Sequence, residues 1–261
     1  MDRQASDKIA ALAEQMLGEK RVCALTGAGV SRESGVPTFR DEDGLWKKFR
    51  PEELANVQAF LSNPVRVWEW YDWRRQLIAD VTPNPGHVAL AELEQLVSHF
   101  VLITQNVDNL HRQAGSRDVI ELHGNIRRNK CFDCNTVFQL ESQESRLEFV
   151  PGELPRCPAC GGRLRPDVVW FGENLPAEAI DRAWSEAERC DVFFSIGTSA
   201  IVYPAAALPQ VAKAAGAFLV EVNLKATELT PFADVVFHEE SGHVLPLIVT
   251  ALKSARREAQ A

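Results

Sequence analysis

Four of the six cysteines stand in two Cys-x-x-Cys pairs, CFDC at Cys131 and Cys134 and CPAC at Cys157 and Cys160, separated by 22 residues. Each pair can place two thiolates on one tight turn, and two such turns brought together make the tetrahedral sulfur cage that Zn2+ favours. Four protein ligands leave no position for water, so a metal held there is structural rather than catalytic. Two disulfides or a redox pair are the competing chemistry. The other cysteines, Cys23 and Cys190, lie singly in apolar segments, a usage that suits a reducing compartment. A nucleic-acid-binding zinc ribbon is a second competitor, but the intervening VFQLESQESRLEFVPGELPR is not basic.

A second constellation is GAGVSRESGVPTFR, which follows an apolar run and carries Gly27 and Gly29 where backbone amides could approach a pyrophosphate at a helix start. As a G-x-G-x-x-G it is incomplete, because Arg32 holds the third glycine position. Spacing alone leaves a nucleotide loop and a plain strand-turn-helix equally open. Polar residues also gather where other apolar runs end: TQNVDNLH, GTS and VNLKAT. In an open parallel sheet, Gln105, Asn106, Asp108, Ser199 and Asn223 would then converge beyond the carboxyl ends of the strands; each alone is more often a cap or turn residue, and it is their shared position that points to a ligand. His123, in ELHGN, is a structural histidine by itself and a candidate general base beside a nucleotide cleft. In WEWYDWRRQL, residues 68 to 77, Tyr71 and Arg74 stand three apart, on one face of a helix. The alternative for this pair is a solvated helix face with Trp68 and Trp70 packed beneath.

The elements that must position these groups read as alternating helices and buried strands. Residues 6 to 19 carry apolar positions at helical spacing, and short apolar runs follow at 21 to 26, 100 to 107, 191 to 199, 217 to 224 and 233 to 239. Helical segments at 87 to 98, 178 to 189 and 204 to 215 lie between them, and SGHVLPLIVTALKSA closes the pattern. This predicts an α/β fold, a mostly parallel sheet with helices on both faces. Residues 41 to 79 and 127 to 165 break the rhythm and are expected to form a smaller helical and cysteine-bearing domain. The large domain then comprises 1 to 40, 80 to 126 and 166 to 261, with a ligand cleft between the two.

With 261 residues, 46% of them hydrophobic, the chain can bury a sizeable core. The formal charge of −8 disfavours direct nucleic acid binding without a local basic patch. No apolar run is long enough for a membrane span, and MDRQASDKIAALAEQ mixes both charges, so a cytoplasmic location is expected.

Taken in order, GAGVSRESGVPTFR, TQNVDNLH, ELHG, the paired cysteines, VVWFGE, GTS and VN resemble the sirtuin family of NAD-dependent protein deacylases, over a span from about Ile9 to Ala251. The resemblance implies a Rossmann-like large domain with an inserted zinc-binding domain. It also implies that Gly27, Ala28, Gly29, Ser31, Phe39, Arg40, Trp46, Gln105, Asn106, Val107, Asp108, Gly197, Thr198, Ser199, Asn223, Leu224, Lys225 and Ser241 hold NAD. The missing third glycine is then no defect, since a cofactor-binding lid follows the loop in this family. In the implied mechanism the acyl-lysine carbonyl oxygen displaces nicotinamide from the ribose. His123 then helps deprotonate a ribose hydroxyl, and free lysine and acyl-ADP-ribose result. Val169, Phe171 and Gly172 match the segment that pairs with the substrate peptide as an added strand.

Within the family, NPVRVWEWYDWRRQL is similar to the class that prefers succinyl, malonyl or glutaryl lysine. Tyr71 and Arg74 occupy the matching acyl-pocket positions, and Ala55 matches a small residue that leaves room for the longer acyl chain. A guanidinium grips a carboxylate through parallel charge-assisted hydrogen bonds, and a phenol donates another. A general deacetylase, a protein ADP-ribosyltransferase and a silent NAD-sensing or zinc-ribbon module are the rival readings. Two features depart from the family: the acids Asp41, Glu42 and Asp43 beside the cofactor loop, and a short HEESGH segment around Ser241.

Overall fold

The computed structural model describes residues 3–37, 51–139 and 152–260. Helix α1 (Arg3–Gln15) leads into β1 (Arg21–Thr26), and a glycine turn opens the short α2 (Ala28–Arg32). Helices α3 (Pro51–Leu54), α4 (Val57–Ser62), α5 (Pro64–Ala79) and α6 (Pro85–Leu96) follow. Next come β2 (His99–Thr104), α7 (Leu110–Gln113), β3 (Val119–Glu121), β4 (Gly124–Cys131), β5 (Val137–Gln139) and β6 (Leu164–Val168). The chain then runs through α8 (Ala177–Arg189), β7 (Val192–Ile196), α9 (Leu208–Ala214), β8 (Phe218–Val222), β9 (Val235–Phe237) and α10 (Ser241–Gln260).

Six strands form one sheet in the order β3-β2-β1-β7-β8-β9, and every pairing is parallel. Counted within that sheet the order is 3-2-1-4-5-6, the doubly wound Rossmann arrangement, and its direction reverses between β1 and β7. Alternate residues of each strand point to opposite faces. Val22, Ala24 and Leu102 therefore join α1, α6 and α10 in one apolar layer, while Cys23, Leu25, Val101 and Ile103 join α8 and α9 in the other. The α/β class expected from the sequence is the observed one.

A second sheet, β5-β4-β6, is antiparallel. Helix α5 packs on it because its sequence is punctuated and striped for that task. The Asn63 side chain accepts from Arg66 N and Pro64 opens the helix. Val67, Trp70, Tyr71 and Ile78 then recur at helical spacing on the buried side, while Trp73 and Leu77 face outward. Arg75 fastens the helix to β4 through Nε to Ile126 O (2.7 Å) and Nη2 to Asn129 Oδ1 (2.6 Å).

The two halves of the large sheet meet through backbone at the switch point. Gly29 N donates to Gly197 O (2.8 Å), Gly27 N donates to Ile196 O (3.0 Å), and Gly197 adopts a left-handed φ of 58°. A Cβ on Gly197 would lie 2.4 Å from Val30 N, a backbone atom that cannot swing aside. Gly197→Ala is therefore expected to lower stability by roughly 3 kcal/mol, from left-handed strain plus the clash. A shift of the chemical denaturation midpoint to lower denaturant checks this, and an unchanged midpoint contradicts it.

Candidate active site

The glycine turn after β1 lies beside the loop after β7, and the segment after β2 closes the near side. Asn106 is the hub: its Nδ2 donates to Gly27 O (3.0 Å) and Ser31 Oγ (3.1 Å), and its backbone N donates to Thr104 Oγ1 (3.0 Å). Gln105 Nε2 reaches Thr198 Oγ1 (3.1 Å), and Asn223 Nδ2 donates to Thr198 O (3.0 Å), so four strand ends share one crevice. Ser31 Oγ donates to Asp108 Oδ2 (2.7 Å), while Leu110 N holds Oδ1 (2.9 Å). Burial raises the Asp108 pKa, and these hydrogen bonds together with the charge of Arg74 oppose that rise.

Gly27 and Gly29 make a close backbone approach within the chain itself. Their amides are spent on Ile196 and Gly197, and a Cβ on either would sit within 3 Å of the Gly197–Thr198 backbone. The glycines thus allow two loops to interlock and leave a surface bare of side chains. Gln105, Asn106, Thr198, Ser199 and Asn223 present neutral carboxamides and hydroxyls around it, with Val107 and the exposed Leu224 and Lys225 alongside. That donor set suits sugar hydroxyls and a phosphate approached by backbone, so these residues fit a dinucleotide. Ser241 is buried, and its hydroxyl donates to Glu33 Oε1 (2.7 Å), whose carboxylate also receives Gly242 N (3.0 Å) at the start of α10. Glu33 was not singled out by sequence, although an acid is favoured at a helix N-terminus. Phe39, Arg40 and Trp46, and the acids at 41 to 43, lie outside the described residues.

His123 follows β3 and is half-buried at the crevice edge. Its Nδ1 lies 2.9 Å from Gln105 O. A carbonyl only accepts, so the ring proton is on Nδ1, and Nε2 carries the lone pair that a base needs. Burial lowers the pKa of His123 while the bond to Gln105 opposes the shift, and the ring is neutral at physiological pH. Beneath the crevice sits a pair that the sequence reading missed, His87 and His111, with ring centroids 4.8 Å apart. His111 Nε2 meets Thr26 Oγ1 (2.9 Å) and His87 Nε2 meets Ser31 Oγ (3.3 Å). Burial drives the His87 pKa down to about 4, and burial followed by the neighbouring His87 holds that of His111 well below its usual value.

On the other side of Val107, Ala55, Tyr71, Trp170 and Val168 share one apolar cluster. Tyr71 is 1% exposed, and its oxygen accepts from Trp170 Nε1 (3.0 Å). The Arg74 guanidinium lies 5.0 Å from the Trp70 ring centroid and 5.4 Å from that of Tyr71. Burial lowers the Arg74 pKa, opposed by Tyr71 and by the Asp108 carboxylate. Val169 N donates to His123 O (2.9 Å) and Phe171 N to Ala55 O (2.9 Å), so these two amides are already engaged. The Phe171 side chain and Gly172 are exposed.

The four paired cysteines converge, with all sulfurs within 4.8 Å of one another. Cys131 and Cys160 are 3.5 Å apart, and Cys134 and Cys157 are 3.8 Å apart. A disulfide needs about 2.05 Å, whereas a tetrahedron of Zn–S bonds near 2.3 Å has edges of about 3.8 Å. Backbone N–H groups of Asp133 and Cys134 point at Cys131 Sγ, and Gly162 N points at Cys160 Sγ, as negative sulfurs require. The cage fits structural zinc.

An open parallel sheet with a bare glycine turn at its switch point, joined to a four-thiolate module, defines a dinucleotide-binding α/β protein with a structural metal knuckle. The model of the Sir2 family matches residues 27–204. The chain belongs to the Sir2, or sirtuin, family. It is 51% identical over 241 residues to an NAD-dependent protein deacylase of Pyrococcus abyssi, covering 92% of this chain and 96% of that protein. The solved structure of a Sir2 homologue in complex with NAD superposes with a TM-score of 0.85 at 48% identity, over 98% of this chain and 95% of the other. A relative bound to a myristoylated histone peptide superposes at 0.75 with 38% identity, over 97% and 99%. Among the described residues no helix is long and apolar enough to cross a membrane.

Two outcomes follow from this geometry. The purified protein should carry about one zinc per chain, and Cys134→Ser should lose most of it and melt at lower temperature; metal analysis and a melting curve read both. Unfolded imidazoles near pKa about 6.5 bind protons that folded His87 and His111 refuse, so their stabilising effect is full above about pH 6.5 and is lost as pH falls towards 4. For His87 alone the loss between pH 7 and 5 is about 2 kcal/mol. The acid-induced drop in melting temperature should shrink in His87→Gln, which takes up no proton.

Proposed function

We propose that this chain is an NAD-dependent protein-lysine deacylase with His123 as its general base, and that its acyl pocket favours succinyl, malonyl or glutaryl groups. The observation that carries the first part is the His123–Gln105 bond, which mounts a neutral base on a crevice shared by four strand ends. When bound, NAD supplies an electrophilic ribose carbon with nicotinamide as leaving group. Gly27, Ala28, Gly29, Ser31, Gln105, Asn106, Val107, Asp108, Gly197, Thr198, Ser199, Asn223, Leu224, Lys225 and Ser241, with Phe39, Arg40 and Trp46, are the residues we assign to holding it. His123 Nε2 takes a proton from a sugar hydroxyl, and its lowered pKa keeps that nitrogen available at neutral pH. One water is consumed overall, and the products are free lysine, nicotinamide and O-acyl-ADP-ribose. The acylated lysine of a protein or peptide reaches the site along Val169, Phe171 and Gly172. Because the amides of Val169 and Phe171 are engaged, pairing there relies on carbonyl groups and on the Gly172 N–H.

Support for the acidic preference comes from Arg74, held over two aromatic rings beside the buried Tyr71 in the cluster that contains Ala55. A sheltered guanidinium favours a substrate that brings a carboxylate, by about 1.5–3 kcal/mol for a charged hydrogen bond. A second reading, a general deacylase, is favoured by Asp108, whose carboxylate acts on Arg74 from within the chain. A panel of succinyl, malonyl, glutaryl and acetyl peptides separates the two. The wild type should show at least about tenfold higher kcat/KM on succinyl than on acetyl lysine, and Arg74→Met should bring the ratio near parity, chiefly through KM. Wild-type preference for acetyl overturns the acidic reading and leaves the deacylase reading standing. His123→Ala should lose about a hundredfold or more in turnover while retaining zinc and melting temperature, on the scale of general-base catalysis.

A further inference from the structure

Residues 165 to 173 form a closed set of contacts around one indole. Arg165, 2% exposed, meets Glu173 through Nη1 to Oε1 (2.5 Å) and Nη2 to Oε2 (2.9 Å), and its Nη2 also donates to Val168 O (2.7 Å). Its guanidinium lies 3.3 Å from the Trp170 ring centroid, and Trp170 N donates to Glu173 Oε2 (2.8 Å). Phe60 packs on the same ring at 5.2 Å between centroids. Trp170 is thus held by an ion pair, a backbone bond and ring contacts, and its one polar side-chain atom is spent on Tyr71 OH at 3.0 Å.

An indole nitrogen donates and never accepts. The Tyr71 oxygen must therefore act as acceptor towards Trp170, and the phenol's own hydrogen is turned away from it. Tyr71 cannot answer this bond by reorienting, since it is 1% exposed. Arg74 beside it is likewise only a donor. With its oxygen accepting from the indole, the Tyr71 hydroxyl has its hydrogen left to donate, and the carboxylate of an acidic acyl group is an acceptor for it.

We propose that Trp170, clamped by the Arg165–Glu173 ion pair, is a positioning residue that sets acyl specificity by fixing the Tyr71 hydroxyl as a donor towards the acyl group. The inference rests on the acidic-acyl reading of Tyr71 and Arg74, and it adds what makes their polarity one-sided. Without the indole N–H, the Tyr71 oxygen has a vacant acceptor position, and its hydrogen is free to turn from the pocket.

The test is a double-mutant cycle on the full-length enzyme, read as the succinyl-to-acetyl ratio of kcat/KM. Trp170→Phe should lower that ratio roughly fivefold, the scale of one neutral hydrogen bond, mainly by raising KM for the succinyl peptide. Tyr71→Phe should lower it at least as far, and Trp170→Phe should change it little further in the Tyr71→Phe background. Should Trp170→Phe not fold, benzothienylalanine at 170 removes the N–H while keeping the bicyclic shape, and the same fivefold fall is expected. A wild type without acidic preference overturns the inference together with the reading beneath it. A preserved wild-type preference with an unchanged ratio in the position-170 variants, or additive losses in the double mutant, overturns the inference alone.

Discussion

The structure turns on the contact between two loops that carry no side chains where they touch. Gly29 N on Gly197 O joins the end of β1 to the end of β7, and the left-handed Gly197 makes room for it. Everything in the crevice takes its position from this joint. Asn106 reads one side through Gly27 O, Asn223 reads the other through Thr198 O, and Gln105 spans both while its carbonyl orients His123. A shift of one loop against the other would therefore disturb the polar surface of the crevice and the tautomer of His123 together.

Beneath that joint the protein accepts an electrostatic cost. His87, His111 and Asp108 are buried, and burial opposes the charged form of each. The chain compensates with hydroxyls. The hydrogen of Ser31 goes to Asp108, so the His87 ring nitrogen facing that serine is its N–H, and Thr26 links His111 to Thr104. Such a network is stable while every member keeps its protonation state.

Much of this was legible in the sequence where the signal is local. The strands of the large sheet are buried on both faces and read as short apolar runs, and the cysteine pairs sit at a spacing that few other roles require. The small sheet was not legible as strands, because β4 and β6 carry Arg128, Lys130, Arg165 and Asp167, whose polarity is met by ion pairs: Arg128 and Lys130 with Asp167 across the sheet (Arg128 Nε to Asp167 Oδ2, 2.8 Å), and Arg165 with Glu173 beyond it. The roles of Glu33, Trp170 and the His87–His111 pair were hidden for a related reason. Each depends on a partner distant in the chain, and none has an unusual local pattern. Gly27 and Gly29 are legible as a place where backbone must approach closely, and the fold adds that Gly197 is one neighbour that does so.

The parallel sheet also constrains how the molecule comes into being. No strand of it pairs through a tight hairpin; β1 lies between β2 and β7, and β7 follows it by most of the chain length. A nascent chain emerging from the ribosome carries its first glycine turn long before the loop that turn must grip has been synthesised. Closure of such a distant pair is entropically slow, and apolar β1 stays unshielded on one edge during the wait. The crevice is thus among the last parts of the protein to exist, assembled when the second half of the sheet docks against the first.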